Sequence, residues 1–129
     1  MFVKLNPNPH GLYVGDCVVR AIAIATGRSW DYVYWMVCIQ GFIMGNMPVG
    51  NMVWEEYLRS IGFRKYYIDD TCPHCYTVRD FCEDNPIGDF ILATGSHVIA
   101  VLDGNYFDAW DSGDEVPTSV WRREFYEQH

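Results

Sequence analysis

The stretch Phe90-Ile-Leu-Ala-Thr-Gly-Ser-His-Val-Ile-Ala-Val-Leu-Asp-Gly-Asn-Tyr-Phe-Asp108 decides the fold. It holds three β-rich runs, 90 to 94, 97 to 102 and 105 to 108, and the last two are joined by Asp103-Gly104, a strong hairpin signal. An antiparallel meander follows. With a two-residue turn at 103 and 104, residues whose numbers sum to 207 face each other. His97 then pairs with Trp110 and lies diagonal to Asp108, within reach of long side chains.

Upstream, the periodicity changes. Cys17-Val-Val-Arg-Ala-Ile-Ala-Ile-Ala-Thr26 is apolar nearly all round, with Asp16 as expected N-cap and Gly27 as stop, so a helix over 16–26 should run through the middle of the fold. Ser29 caps a second helix, 30 to 41, with Trp30, Val33, Tyr34 and Val37 at helical spacing and Cys38 on its interior stripe. Gly41 to Gly50 reads as a loop, with Met44 and Met47 able to wall a cleft. Asn51 caps a third helix to Ser60, and Arg64 to Ile68 reads as a strand. A loop from 69 to 76 leads to a short helix, 77 to 84, stopped by Asn85-Pro86. The first ten residues look extended. Trp30, Trp35, Trp54 and Trp121 are expected mainly in packing. Helices first and sheet second make the fold class α+β, one domain over 1–129 with a helical half of about 1–62 and a sheet half of about 63–129.

Half of the 129 residues are hydrophobic and only 20% are charged, which excludes a disordered chain. The net charge is −8, with no basic excess to hold a phosphate backbone, so nucleic acid is not an expected partner. Residues 1–66 carry six basic and four acidic side chains, and 67–129 carry three and thirteen. The acidity belongs to the second half, where it would steer cationic ligands or serve as a solubilising face. Tyr32 to Trp54 carries no formal charge, yet Gln40, Pro48, two asparagines and three glycines interrupt it, so no membrane span is expected. Met1 to His10 lacks an apolar signal run, and the expected location is the cytoplasm.

Five cysteines, at 17, 38, 72, 75 and 82, do not make a disulfide framework in such a chain. Cys17 opens the buried helix, where the dipole and free first-turn N–H groups favour thiolate, although a small buried thiol can also be plain packing. A thiolate nucleophile needs an imidazole, and the imidazole needs an acceptor to orient it. His97 and Asp108, at the mouth of an otherwise apolar hairpin, fit these roles, or else serve as capping residues.

The order Cys17, His97, Asp108, with the Cys on a central helix and the other two on the sheet, resembles the papain-like cysteine peptidase superfamily. Asp108-Ala-Trp110 looks like its Asn-Ser-Trp element. Gly15-Asp-Cys-Val-Val-Arg-Ala-Ile22 and Gly95-Ser-His-Val-Ile-Ala-Val-Leu-Asp-Gly104 are similar to small papain-like proteins of bacteria and their phages, in the style of double-glycine leader peptidases. The resemblance covers most of the chain. It implies Cys17 as nucleophile, His97 as general base and acid, Asp108 as orienter, Trp110 as shield, and no cofactor. Where the family carries an oxyanion-hole Gln upstream of the nucleophile this sequence has Gly11, and Asn8 or Asn6 stands as a replacement amide. The implied function is amide or peptide hydrolysis through an acyl-enzyme, on a peptide or protein substrate, and the acidic second half makes basic peptides or amines the first to try. Transamidation and deamidation use the same residues.

Two other readings stand beside it. One is a non-catalytic binding module on a papain-like fold. The other rests on Cys72-Pro-His-Cys75, either a redox pair or, with Cys82 and His74 or His10, a zinc site. A thioredoxin-like fold would need parallel βαβ pairing, which the meander does not offer.

Overall fold

The computed structural model describes residues 1–126 as an α+β fold with four helices and a six-stranded mixed sheet. In chain order the elements are β1 (Phe2–Lys4), α1 (Cys17–Thr26), α2 (Trp30–Met44), α3 (Asn51–Ser60), β2 (Phe63–Tyr67), α4 (Val78–Asp84), β3 (Asp89–Ala93), β4 (Val98–Leu102), β5 (Asn105–Asp108) and β6 (Ser119–Arg123). The strands lie in the order β1-β5-β4-β3-β6-β2.

The hairpin forms in the expected register: Leu102 pairs with Asn105, Val101 with Tyr106 and Ala100 with Phe107. Its turn has positive φ at both central residues, 48° at Asp103 and 76° at Gly104, the twist that matches two right-handed strands. The sheet goes beyond the expected meander in two places. β1 adds to β5 in parallel, which makes the sheet mixed, and β6 enters between β3 and β2, antiparallel to both.

Alternation along the central strands divides the core into two. Ile91 and Ala93 of β3 and Val98 and Ala100 of β4 face α1, α2 and α3, together with Phe63 and the fully buried Trp121. Phe90 and Leu92, Ile99 and Val101 face the other way, onto Val78, Phe81 and Cys82 of α4. α1 lies against β3, β4 and α2, and seven of its ten residues are buried, as an all-round apolar helix requires.

Local signals account for most boundaries. Ser29 Oγ accepts from the Tyr32 N–H at 3.1 Å and starts α2. Thr77 and Asp80 close a reciprocal capping box at the start of α4. Three expectations are corrected. α2 runs on to Met44 instead of ending at Gly41, because the left-handed cap is Gly45, at φ 66°, while Gly41 stays helical and serves close packing: a Cβ there would come within 2.7 Å of the Asn46 carbonyl oxygen. Asp16 stands at the N-cap position of α1 as expected, but its side chain makes no capping bond, since its carboxylate is engaged by Arg20 and Trp30. Trp35 is not a packing residue; it is 66% exposed.

The zinc reading is also corrected. Cys72 and Cys75 are joined in a disulfide, so neither sulfur is a free thiolate, and Cys82 is buried in the α4 core with its thiol pKa pushed up by burial. Among the described residues no cluster of three His, Cys, Asp or Glu side chains is placed to hold a metal. No helix among them is long and apolar enough to cross a membrane.

Candidate active site

Cys17 is the first residue of α1, and His97 sits immediately before β4, the strand packed along that helix. A short connection fixes His97. The Thr94 hydroxyl accepts from the His97 N–H at 2.9 Å and the Ser96 N–H at 3.2 Å, while the Thr94 N–H donates to the His97 carbonyl at 2.8 Å. The hairpin register then brings Asp108, the last residue of β5, beside the ring: His97 Nε2 lies 2.6 Å from Asp108 Oδ2. That bond leaves Nδ1 free of Asp108, and Cys17 and the His97 side chain interact closely enough that each shifts the other's titration. Cys17, His97 and Asp108, far apart in sequence, therefore form one connected row.

Burial alone would raise the Cys17 thiol pKa. The hydrogen bond and charge of His97, the Val98 backbone N–H and the charge of Arg20 outweigh it, and the thiol lies below its usual value. Burial alone would likewise depress His97, yet its bonds to Asp108 and Cys17 and their charges raise it to about 9. Asp108 is held below the usual carboxylate range against the opposing effect of burial, chiefly by its bonds to His97 and Ser112. The arrangement favours a thiolate beside an imidazolium, with a carboxylate behind it.

Asp108 is nearly fully buried and saturated with donors. Oδ2 accepts from the Ser112 hydroxyl at 2.7 Å as well as from His97, and Oδ1 accepts from the Ala109 N–H at 2.7 Å and from Arg20 Nη2 at 3.4 Å. Arg20 also bonds Asp16, whose second oxygen accepts from Trp30 Nε1 at 2.9 Å. Three buried charges, Asp16, Arg20 and Asp108, thus tie the start of α1 to the end of β5. The sequence reading passed over this network and over Ser112 and Thr94. Its signal was Arg20 itself, a cation on a helix with no polar face, with an acid four residues before it.

Trp110 stacks on the His97 ring at 4.6 Å between centroids, with 25° between planes, so that one face of the imidazole is covered. Arg20 lies 5.6 Å from the same indole. The proposed amides are placed differently. Asn6 Nδ2 donates to the Leu12 carbonyl and Asn8 Oδ1 accepts from the His10 N–H, so both brace the loop before α1, and neither lines the cleft.

Cys17 and His97 open into a cleft of about 400 Å³ whose walls include Gly15, Trp54 and a Lys65–Glu55 ion pair at 2.8 Å. On the other side of His97 lies a second hollow of about 430 Å³, rimmed by Trp110, Asp111, Asp114 and Glu115. No family model, curated protein or solved structure matches the chain.

Proposed function

We propose that this protein is a cysteine-dependent amide or peptide hydrolase of papain-like type, with Cys17 as nucleophile, His97 as general base and acid and Asp108 as orienter. The observation that carries the reading is the row in which Cys17 interacts with His97 and His97 bonds the buried Asp108, opening into a cleft of about 400 Å³.

The chemistry follows from the row. The Cys17 sulfur attacks the substrate carbonyl carbon, and the carbonyl π electrons move to oxygen. First-turn N–H groups of α1 are available to that oxyanion, because the Asp16 side chain makes no capping bond with them. Collapse of the intermediate breaks the C–N bond while His97 passes its proton to the leaving amine, and a thioester on Cys17 remains. Water then gives its proton to His97, attacks the thioester and releases the acid and the thiolate. An amine in place of water gives transamidation by the same route. Ser112 and the Ala109 N–H keep the Asp108 carboxylate aimed at Nε2 throughout.

Basic peptides are the first substrates to offer. The acidic hollow beside His97 supports this preference, although Arg79 already pairs with Asp111 and Asp114. The test is mass spectrometry of the protein incubated with a basic peptide library. The expected result is cleaved peptide together with an acyl adduct on Cys17, both abolished in Cys17→Ala. Cleavage that survives Cys17→Ala would overturn the assignment.

A further inference from the structure

α2 is apolar on both sides. Val33, Val37 and Gly41 form its inward stripe against the core, and that accounts for only one face. Trp35, Ile39, Phe42 and Ile43, at helical spacings of four, three and one, form a second apolar stripe turned outward. Phe42 is 88% exposed, Ile43 72% and Met47, which shares a shallow groove with Phe42, 69%. A helix apolar all round is normally covered all round, and contiguous exposed apolar surface of this size marks an interface.

We propose that this stripe is the face through which two copies of the chain associate. The first argument is area. Aromatic side chains bury roughly 150–250 Å² each, so Trp35 and Phe42, together with Ile39, Ile43 and Met47, offer on the order of 700 Å² when all five are covered. This matches the ~800 Å² that each partner gives to a standard interface. The second argument is charge. Each copy carries −8, and two such molecules repel unless they meet through a neutral face. Residues 32–54 hold no formal charge, and the acidic excess lies in residues 67–129. α2 rests on α1 and α3, so docking through it keeps the acidic sequence of both copies out of the contact. The third argument is symmetry: one self-complementary stripe repeated across a two-fold axis closes the assembly as a dimer. A lipid surface is the poorer occupant, because an acidic chain with no Lys or Arg between residues 32 and 54 is repelled by anionic headgroups.

Sedimentation equilibrium of the full chain over a micromolar concentration range tests this. The expected mass is that of two chains. Phe42→Glu and, separately, Trp35→Lys should each raise the dimer Kd by roughly 30-fold or more with an unchanged far-UV circular dichroism spectrum. Two outward positions are tested so that one misfolded variant does not decide the matter. A single-chain mass for the wild type at every concentration would overturn the proposal. So would a dimer indifferent to both substitutions, or a monomer that co-sediments with phosphatidylcholine vesicles.

Discussion

His97 Nε2 and Asp108 Oδ2 stand 2.6 Å apart across the mouth of the β4–β5 hairpin, with both side chains almost completely withdrawn from water. A charge-assisted bond in that setting couples the His97 proton to folding. The folded His97 pKa, about 9, lies above its ordinary 6.5. The stabilisation is therefore fully present below pH 6.5 and is lost as the pH rises through about 9. Asp108→Asn removes the charge and lets the His97 pKa fall toward its ordinary value. The wild type should be more stable than this variant by on the order of 2–3 kcal/mol at pH 6, and the gap should narrow toward pH 9.5 to what the Arg20, Ser112 and Ala109 bonds of Asp108 contribute. Thermal melts at the two pH values measure it, and a gap independent of pH would contradict the coupling.

Arg20 pairs with two buried carboxylates, Asp16 and Asp108. Arg20→Met keeps the volume of the stem and leaves Asp16 without a cation and Asp108 with His97 alone. The expected loss is about 3–5 kcal/mol in denaturant unfolding, larger than any exposed-charge substitution would give. Arg20→Lys should recover only part of it, because one ammonium does not span both acids as the guanidinium fork does.

Trp110 is 51% exposed, so its role in holding the fold is small, while one face of the indole lies on the His97 ring. Trp110→Ala should leave the melting temperature within a few degrees of wild type. Peptide cleavage should fall about tenfold or more, because water gains access to the uncovered face of the His97 ring. Equal losses of stability and activity would show that the ring is only packing.

The Cys72–Cys75 disulfide closes a very short loop on the surface, away from the cleft. Chain-entropy arguments limit its contribution to about 2 kcal/mol. Cys75→Ser should therefore fold, and its peptide cleavage should equal that of the wild type. A large loss of activity would tie this loop to the chemistry.

How much of this was legible in the sequence depends on the range of the interactions. The hairpin register, the α1 boundaries and the end of α4 rest on contacts between near neighbours, and Asp103-Gly104, Gly27 and Asn85-Pro86 announce them. β6 was not legible because Ser119-Val-Trp-Arg-Arg123 looks half charged, and it becomes a strand only by pairing with β3 and β2 on its two sides. α2 passes Gly41 because, of two glycines, it is Gly45 that takes the left-handed cap, while Gly41 is kept small by the loop packed on it, a contact no local propensity reports. At the site, the residues at the hairpin mouth stood out against apolar strands, and the structure brings them together with Cys17. Ser112 and the Asp16–Arg20 link stayed hidden because their partners are set by tertiary packing.

The reactivity of Cys17 is the most direct measure of the whole account. Alkylation by iodoacetamide near neutral pH, followed residue by residue by peptide mass mapping, compares it with the other free thiols, Cys38 and Cys82. With its pKa lowered beside His97, Cys17 should react at least about tenfold faster than either, and His97→Ala should abolish that advantage. Slow, uniform labelling of the three thiols, or fast labelling of Cys17 that His97→Ala leaves unchanged, would contradict the account.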